Sequence, residues 1–435
     1  MRGVVSAVRR PTWRDVQGGR ALSFLLDRIQ PDLFISKYWG KRPLHVRGRR
    51  RHFSVLFGQP WREDRGRAAR VELGALRSNG KFQKVDGTVE QIDVAFAAGM
   101  TIASEVKDSG FLAFLAELQK DLGVPGPFVA KVFESRDKAG FAAHWDEMHA
   151  LVLQCEGKKR WHVSKQPLLT YPTRSALFDS NKTVQLAGEG IGKAPTAANQ
   201  YSVVLQPGDF LYIPPGTWHR AEALGYSMAV SIYPELPRIH EFTATLFARR
   251  FRHEPGWRNL LPAVGESSAS GDLSPELRAL FRAKLDEMRE TLDHIDEYDL
   301  YRELIRQVTM VAPPPASVHR SDRVSRLTYL QHDGQLRFMR EGGKRSGEVS
   351  LISGDFEASL PAAGLPLVRW LVSHRLFQAR DAVRGVRGLA WRSVQSILGA
   401  LVRKGILRTA STDLTPSGRG RWGLAVRRSS KRRLV

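Results

Sequence analysis

Cysteine is almost absent: Cys155 stands alone in 435 residues. A single thiol excludes an intramolecular disulfide and a cysteine-built zinc site, and it agrees with a reducing compartment, so any metal must be taken by histidine and carboxylate. Long apolar runs are missing too. Nothing approaches the roughly 18 consecutive apolar residues of a membrane span, and Val4 and Val5 do not open the apolar core of a secretory signal. The arginine-rich, acid-poor start imitates an organelle transit peptide, but Trp13 and the following helix read as domain, which leaves the cytoplasm as the expected compartment. Acid is also scarce, with 44 Asp+Glu against 67 Lys+Arg and a net charge of +23. That balance draws polyanions such as RNA or a ribonucleoprotein. Arginine spread over solvated faces gives the same count, so charge alone names no ligand.

What is present is enough for two to four units, each with its own core: 435 residues, 42% of them hydrophobic. Apolar spacing predicts a helix over 21–29, a first strand at Arg42 to Val46 and a second helix near 111–122. From 128 to 233 the pattern changes to short runs set apart by Gly and Pro: Phe128 to Phe133, Ala150 to Cys155, Arg160 to Val163, Tyr201 to Leu205, Phe210 to Ile213 and Met228 to Ile232. Many short strands with turn signals indicate a sandwich or barrel. Helical character returns at His240 to Arg252 and after Ser274, where Ser-Pro-Glu supplies an N-cap, a proline at the first turn and an early acid. Leu277, Leu280, Phe281, Leu285, Met288, Leu292, Ile295 and Tyr298 then recur at helical spacing, as a packed core or a dimer seam. Pro313 to Pro315 breaks this region, and a turn near 341–347 opens the last unit. There 361–374 and 391–405 read as helices, with Ile406-Leu407 and Gly423 to Val426 as short strands of a wing.

One constellation carries chemistry. His144-Trp145-Asp146 puts two ligand types one residue apart on a strand, so both side chains leave the same face. Gly208-Asp209-Phe210-Leu211-Tyr212-Ile213-Pro214-Pro215-Gly216-Thr217-Trp218-His219 then supplies a strand, a turn and a third ligand. Two His and one carboxylate leave three positions of an octahedron open, an arrangement suited to Fe(II) holding a bidentate co-substrate and O2; zinc, manganese or nickel fit the same ligands less specifically. Lys159, thirteen residues after Asp146, can pair with the distal carboxylate of a dicarboxylic keto acid. Trp145, Met148, Trp161 and Trp218 are candidates to line or back the pocket.

These motifs, with Leu151-Val152-Leu153-Gln154, Gly157-x-Lys159-x-Trp161 and the Tyr38-Trp39-Gly40-Lys41-Arg42-Pro43-Leu44 segment, resemble the jumonji-C (JmjC) oxygenases of the ribosomal-oxygenase, cupin-like branch. The resemblance implies an α+β chain: a double-stranded β-helix (jelly-roll) catalytic domain over 1–235, a helical, dimerising domain over 236–345, and a winged helix with a basic tail over 346–435. It implies His144, Asp146 and His219 as iron ligands and Lys159 as anchor of the 2-oxoglutarate C5 carboxylate, with Leu153 and Ser231 as further co-substrate contacts. The implied reaction uses Fe(II), 2-oxoglutarate and O2 to hydroxylate a protein side chain, with ribosomal proteins as the substrate class and a homodimer as the assembly. Where relatives often carry Asn before the metal motif, this chain has Lys131. The stretch from Gln166 to Gln200 lengthens the gap to His219 and bears on the substrate entrance.

The same iron centre serves hydroxylation of a precursor peptide or demethylation of an N-methylated lysine. A different class is a cupin-type, ligand-sensing DNA-binding regulator, in which the helix from Trp391 and the basic tail (Arg419, Arg421, Arg427, Arg428, Lys431, Arg432, Arg433) read nucleic acid. Trp391, Val394 and Leu398 look mainly like packing residues, which favours the enzyme.

Overall fold

The computed structural model describes residues 20–48, 53–57, 71–76, 82–87, 91–173, 175–177, 196–262, 274–309, 324–332, 336–342, 345, 347–386 and 388–409. Val4, Val5, Trp13, the Pro313 to Pro315 break, 178–195 of the long stretch, the expected strand at 423–426 and the basic tail lie outside them. The chain divides into two compact units, Met1–Ala263 and Val264–Val435.

The first unit runs α1 (Ala21–Leu26), α2 (Pro31–Lys37), β1 (Leu44–Val46), a 3-10 turn (Phe53–Leu56), β2 (Val71–Leu76), β3 (Phe82–Gly87), α3 (Ile92–Ala97), β4 (Thr101–Glu105) and α4 (Ser109–Leu122). It continues through β5 (Phe128–Ser135), β6 (Gly140–Trp145), β7 (Ala150–Ser164), β8 (Ala176–Leu177), β9 (Gln200–Leu205), β10 (Phe210–Ile213), β11 (His219–Pro234) and α5 (Ile239–Phe251). The strands form one sheet in the order β1-β10-β7-β11-β5-β4-β2-β3, with β6 on β11 and β8, and β9 on β7. Two expected strands, Ala150 to Cys155 and Arg160 to Val163, are one. Gly157 does not break β7 but bends it, taking φ 63° opposite a register shift in β11. A Cβ there would lie 1.8 Å from the Tyr226 carbonyl oxygen, so the close strand approach requires glycine.

Alternation along these strands separates two faces. Ala130 and Val132 of β5, Leu151 and Leu153 of β7, Phe210 and Tyr212 of β10, and Met228, Val230 and Ile232 of β11 pack against helices. In α4 the apolar residues Phe111, Phe114, Leu115, Leu118 and Leu122 fall at helical spacing and are all buried; fully burying each such side chain is worth about 1.5–3 kcal/mol. Asp108 caps the helix by accepting from the Phe111 N–H at 2.8 Å, and Gly123 ends it with φ 62°. The opposite sheet face surrounds a cavity.

Asp209, Tyr212 and Gly40 show what the flanking motifs are for. The Asp209 carboxylate accepts from the Gly48 N–H at 2.6 Å and the Gln206 N–H at 3.1 Å and meets His45 Nε2 at 3.2 Å. Burial pushes its pKa up, but these partners outweigh it and the net shift is down. The Tyr212 hydroxyl accepts from the Gly40 N–H at 2.7 Å and lies 2.8 Å from His149 Nδ1. Trp39 stacks on His149 at 4.1 Å between ring centroids. The N-terminal segment thus buttresses the loop just after Asp146.

The second unit holds α6 (Pro275–His294), α7 (Glu297–Val308), β12 (Tyr329–Gln331), β13 (Arg337–Arg340), β14 (Glu348–Ser353), β15 (Phe356–Pro361), α8 (Leu365–Ser373), β16 (Leu376–Gln378), α9 (Ala379–Gly385), α10 (Trp391–Arg403) and β17 (Arg408–Thr409). The stripe expected to run from Leu277 to Tyr298 is split at Ile295, where Asp296 and Asp299 form a reciprocal cap that starts α7. β13, β14 and β15 make an antiparallel meander in which β13, before position 345, pairs with β14 beyond it, and β16-β12-β17 is a second small sheet. Ile305 of α7 packs on Met339 and Ile352. Beside them Arg302 pairs with Asp299 and Glu341 and approaches Glu357 at 3.5 Å, with both Arg302 and Glu341 buried.

Candidate metal centre

His144 is the last but one residue of β6, Asp146 lies just beyond the strand's end, and His219 opens β11; His144 and His219 face each other across the β6–β11 ladder. One donor atom from each of the three lies within 4.8 Å of the others. Asp146 Oδ2 is 3.6 Å from His219 Nε2, and Oδ1 is 4.0 Å from His144 Nε2. The turn from Pro214 to Gly216 is tied to this loop, because the Gly216 N–H donates to the Asp146 carbonyl at 2.8 Å.

Each histidine is oriented by its own strand. His144 Nδ1 lies 2.7 Å from the Ala142 carbonyl oxygen and His219 Nδ1 2.9 Å from that of Thr217. A carbonyl only accepts, so in each ring Nδ1 carries a proton and Nε2 is the atom turned toward Asp146. Burial, and then the neighbouring His144, lower the His219 pKa to about 4, which keeps its imidazole neutral. Trp161 stacks on the His219 ring at 5.9 Å. Two neutral nitrogens and one carboxylate are a donor set that a divalent first-row metal fits.

The triad opens into a cavity of about 490 Å³, walled on alternate strand positions by Val129, Lys131 and Phe133, by Ala150 and Val152, and by Ala229, Ser231 and Tyr233. Trp145, Met148 and Trp161 line it as expected; Trp218 is buried outside the lining. Lys159 lines it too, 1% exposed. Its ammonium donates to Ser135 Oγ at 3.1 Å, and Ser135 meets Thr101 Oγ1 at 3.0 Å. Among the described residues no carboxylate pairs with Lys159, and burial lowers its pKa to about 8. A buried cation with a single hydroxyl partner is poised for an anion entering the cavity.

Ser231 is brought to the cavity, whereas Leu153 is not. Leu153 points to the helical side of β7 and is fully buried there, while its neighbour Val152 lines the cavity. Lys131 faces the cavity from β5. The Cys155 thiol makes no contribution to the site; burial pushes its pKa to about 12.

Three residues near the centre escaped the sequence reading. Arg238 Nη2 pairs with Glu147 Oε2 at 3.0 Å and Nη1 donates to the Pro172 carbonyl at 2.9 Å, while the Glu147 N–H donates to Ser175 Oγ at 3.1 Å. The clamp holds the start of the long stretch beside Asp146, and Ser175 lines the cavity. No motif announces it, since its partners are scattered over 91 residues.

A rolled antiparallel sheet enclosing a two-histidine, one-carboxylate centre defines a cupin-like metal-site protein. Residues 126–242 match the family model described as the JmjC domain, and that segment holds all three residues of the centre. It is 25% identical over 236 residues to ribosomal oxygenase 1 of Homo sapiens, covering 51% of this chain and 35% of that protein. It is 40% identical over 82 residues to the bifunctional lysine-specific demethylase and histidyl-hydroxylase NO66 of Drosophila willistoni, covering 19% of this chain and 9% of that one. The chain thus spans about a third or less of the length of these curated relatives. Its fold is that of YcfD from Escherichia coli, with a TM-score of 0.53 at 20% identity over 88% of this chain and 98% of that one. A structure of YcfD, a ribosomal oxygenase, in complex with cobalt and 2-oxoglutarate aligns with a TM-score of 0.51 at 20% identity, covering 88% and 99% of the two chains.

Proposed function

We propose that this chain is an Fe(II)- and 2-oxoglutarate-dependent oxygenase that hydroxylates a side chain of a ribosomal protein. The observation that carries the reading is the pairing, in one cavity, of the His144, Asp146 and His219 centre with the buried, carboxylate-free ammonium of Lys159. The relatives named ribosomal oxygenases supply the substrate class.

When bound, iron, 2-oxoglutarate and O2 supply the chemistry that turns a substrate C–H bond into C–OH while the keto acid becomes succinate and CO2. The chain's task is placement and exclusion. His144, Asp146 and His219 would hold the metal through two imidazole nitrogens and one carboxylate. Lys159 takes the distal carboxylate, assisted by Ser135, and Ser231 stands on the cavity wall within the same layer of strands. Phe133, Phe141 and Trp161 keep water from the reacting carbon.

Two further parts of the reading concern architecture. The order α8, β16, α9, α10, β17, with β12 completing the small sheet, supports a winged-helix fold for the end of the chain. α6 has no buried residue, and Phe281, Leu285 and Leu292 are 41%, 50% and 52% exposed; a stripe of this kind supports a homodimer through the helical segment.

The test is succinate formation with Fe(II), 2-oxoglutarate and isolated ribosomal proteins, followed by intact-mass measurement of those proteins from cells with and without the chain. One protein is expected to carry about 16 Da, one oxygen atom. His144→Ala and Asp146→Ala are each expected to abolish succinate formation, and unchanged turnover in either would sink the assignment. Loss of a methyl group in place of a gained oxygen would move the reading to demethylation.

A further inference from the structure

Between 362 and 409 the chain holds a single acidic residue, Asp381, against nine Lys and Arg. The structure leaves part of this excess exposed on two consecutive helices. In α10, Val394, Leu398, Leu401 and Val402 are buried in the core of the second unit. At 100° per residue the opposite stripe is Arg392, Ser396 and Arg403, all exposed, with Ser393 exposed at its edge. In α9, Ala379 and Ala382 are buried, while Arg380 and Arg384, one turn apart, are exposed. α9 and α10 are joined by a short turn that contains Gly388 at φ 88°, the arrangement of a helix-turn-helix. The core of α10 is held in place from its flank, where Gln395 Nε2 donates to the Val324 carbonyl at 2.8 Å. Arg384, Arg392 and Arg403 have no carboxylate partner among the described residues, and Arg380 only reaches Asp381 at 4.0 Å.

We propose that this face binds double-stranded RNA through its phosphates. Exposed guanidinium groups separated by serines, with no carboxylate on the stripe, match a row of phosphate oxygens in charge, in hydrogen-bonding geometry and in the small side chains that permit close backbone approach. An acidic protein surface would satisfy the charge but not call for the serine spacing. The choice of RNA over DNA rests on the ribosomal-protein reading above: a hydroxylase of such proteins meets its substrate among RNA helices. Contacts of this kind position a protein and carry no sequence code, so the expected binding is tolerant of sequence.

The test uses the full chain and fluorescence anisotropy with a 20-base-pair RNA duplex over a salt series. Binding is expected to weaken linearly in log–log form, with a slope of about 0.7–0.9 per phosphate contacted. Substituting Arg384→Glu, Arg392→Glu and Arg403→Glu together is expected to weaken binding at least about tenfold at 0.1 M salt and to lower the salt slope by about two or more. Because these side chains are exposed and far in sequence from the metal centre, turnover of 2-oxoglutarate without substrate is expected to stay at the wild-type level, which checks folding. Wild-type affinity in the triple variant would overturn the proposal, as would a duplex DNA of the same sequence binding more tightly than the RNA, or polyglutamate competing as well as RNA at equal charge. The oxygenase reading is judged separately, by succinate and mass; it can fail while the RNA isotherm stands, and the reverse.

Discussion

The two units each bury a cation, and they treat it in opposite ways. Arg302 sits in the second unit with Asp299 and Glu341 on its guanidinium and Glu357 close by. Burial alone would lower its pKa, but these carboxylates more than offset that, and the net shift is upward. Lys159 sits in the first unit with a serine hydroxyl and an aromatic ring, Phe141, 5.8 Å away, and burial pulls its pKa down to about 8. A buried charge that is fully paired is part of the scaffold. One left short of a counter-charge holds free energy in reserve, released only when an anion arrives.

The sharpest separation of the two roles is therefore by substitution. Arg302→Met leaves the buried Glu341 without its partner and is expected to cost about 3–5 kcal/mol, read as a lower urea midpoint for the second unit, with the 2-oxoglutarate KM unchanged. Lys159→Met is expected to reverse that pattern. It removes an unpaired buried charge, so the ligand-free protein keeps or gains stability, while the 2-oxoglutarate KM rises about 10- to 100-fold, the worth of a charged hydrogen bond at about 1.5–3 kcal/mol. Equal loss of stability in both variants would erase the distinction between the two cations.

Titration gives a second, smaller separation. Below pH 8 the Lys159 ammonium is charged in both the folded and the unfolded chain, and its burial penalty is felt in full. Between about 8 and 10.5 the folded state releases this proton first, the unfolded state binds more protons, and the ligand-free protein gains stability as pH rises, by up to about 1.4 kcal/mol per unit. Affinity for 2-oxoglutarate is expected to fall over the same window. Urea midpoints of wild type and Lys159→Met, measured from pH 7 to 10.5, isolate the contribution. The smallest effect is expected at the Arg238–Glu147 pair. Arg238→Ala removes a partly exposed ion pair worth up to about 1 kcal/mol and is expected to raise the protein-substrate KM a few-fold while leaving substrate-free turnover of 2-oxoglutarate alone.

How much of this was legible depended on whether a residue's face could be read. The triad was, because His-x-Asp on a strand and a histidine after Pro-Pro-Gly fix both type and side. Leu153 was misplaced for the complementary reason: β7 is buried on both faces from Ala150 to Gln154, and Ala150 to Leu153 are apolar at every position, so the phase of alternation is silent. Ser231 is polar among apolar neighbours and announced its face. Gly157, between two expected strands, looked like a strand end, yet its positive φ lets the ladder continue. Ser135, the hydroxyl beneath Lys159, lies at the end of β5, past the last residue that alternation assigned to that strand. The meander of β13 to β15 was not foreseen, since its outer residues are charged and its turns read as linker.

The short carbonyl contacts behind His144 and His219 have a consequence for how the protein acquires its metal. Both rings are already fixed by Nδ1 on a backbone carbonyl, with Nε2 facing Asp146. An ion arriving there meets donors that need no ring rotation, so little side-chain freedom is lost on loading and the folded chain can wait, ready, for its metal.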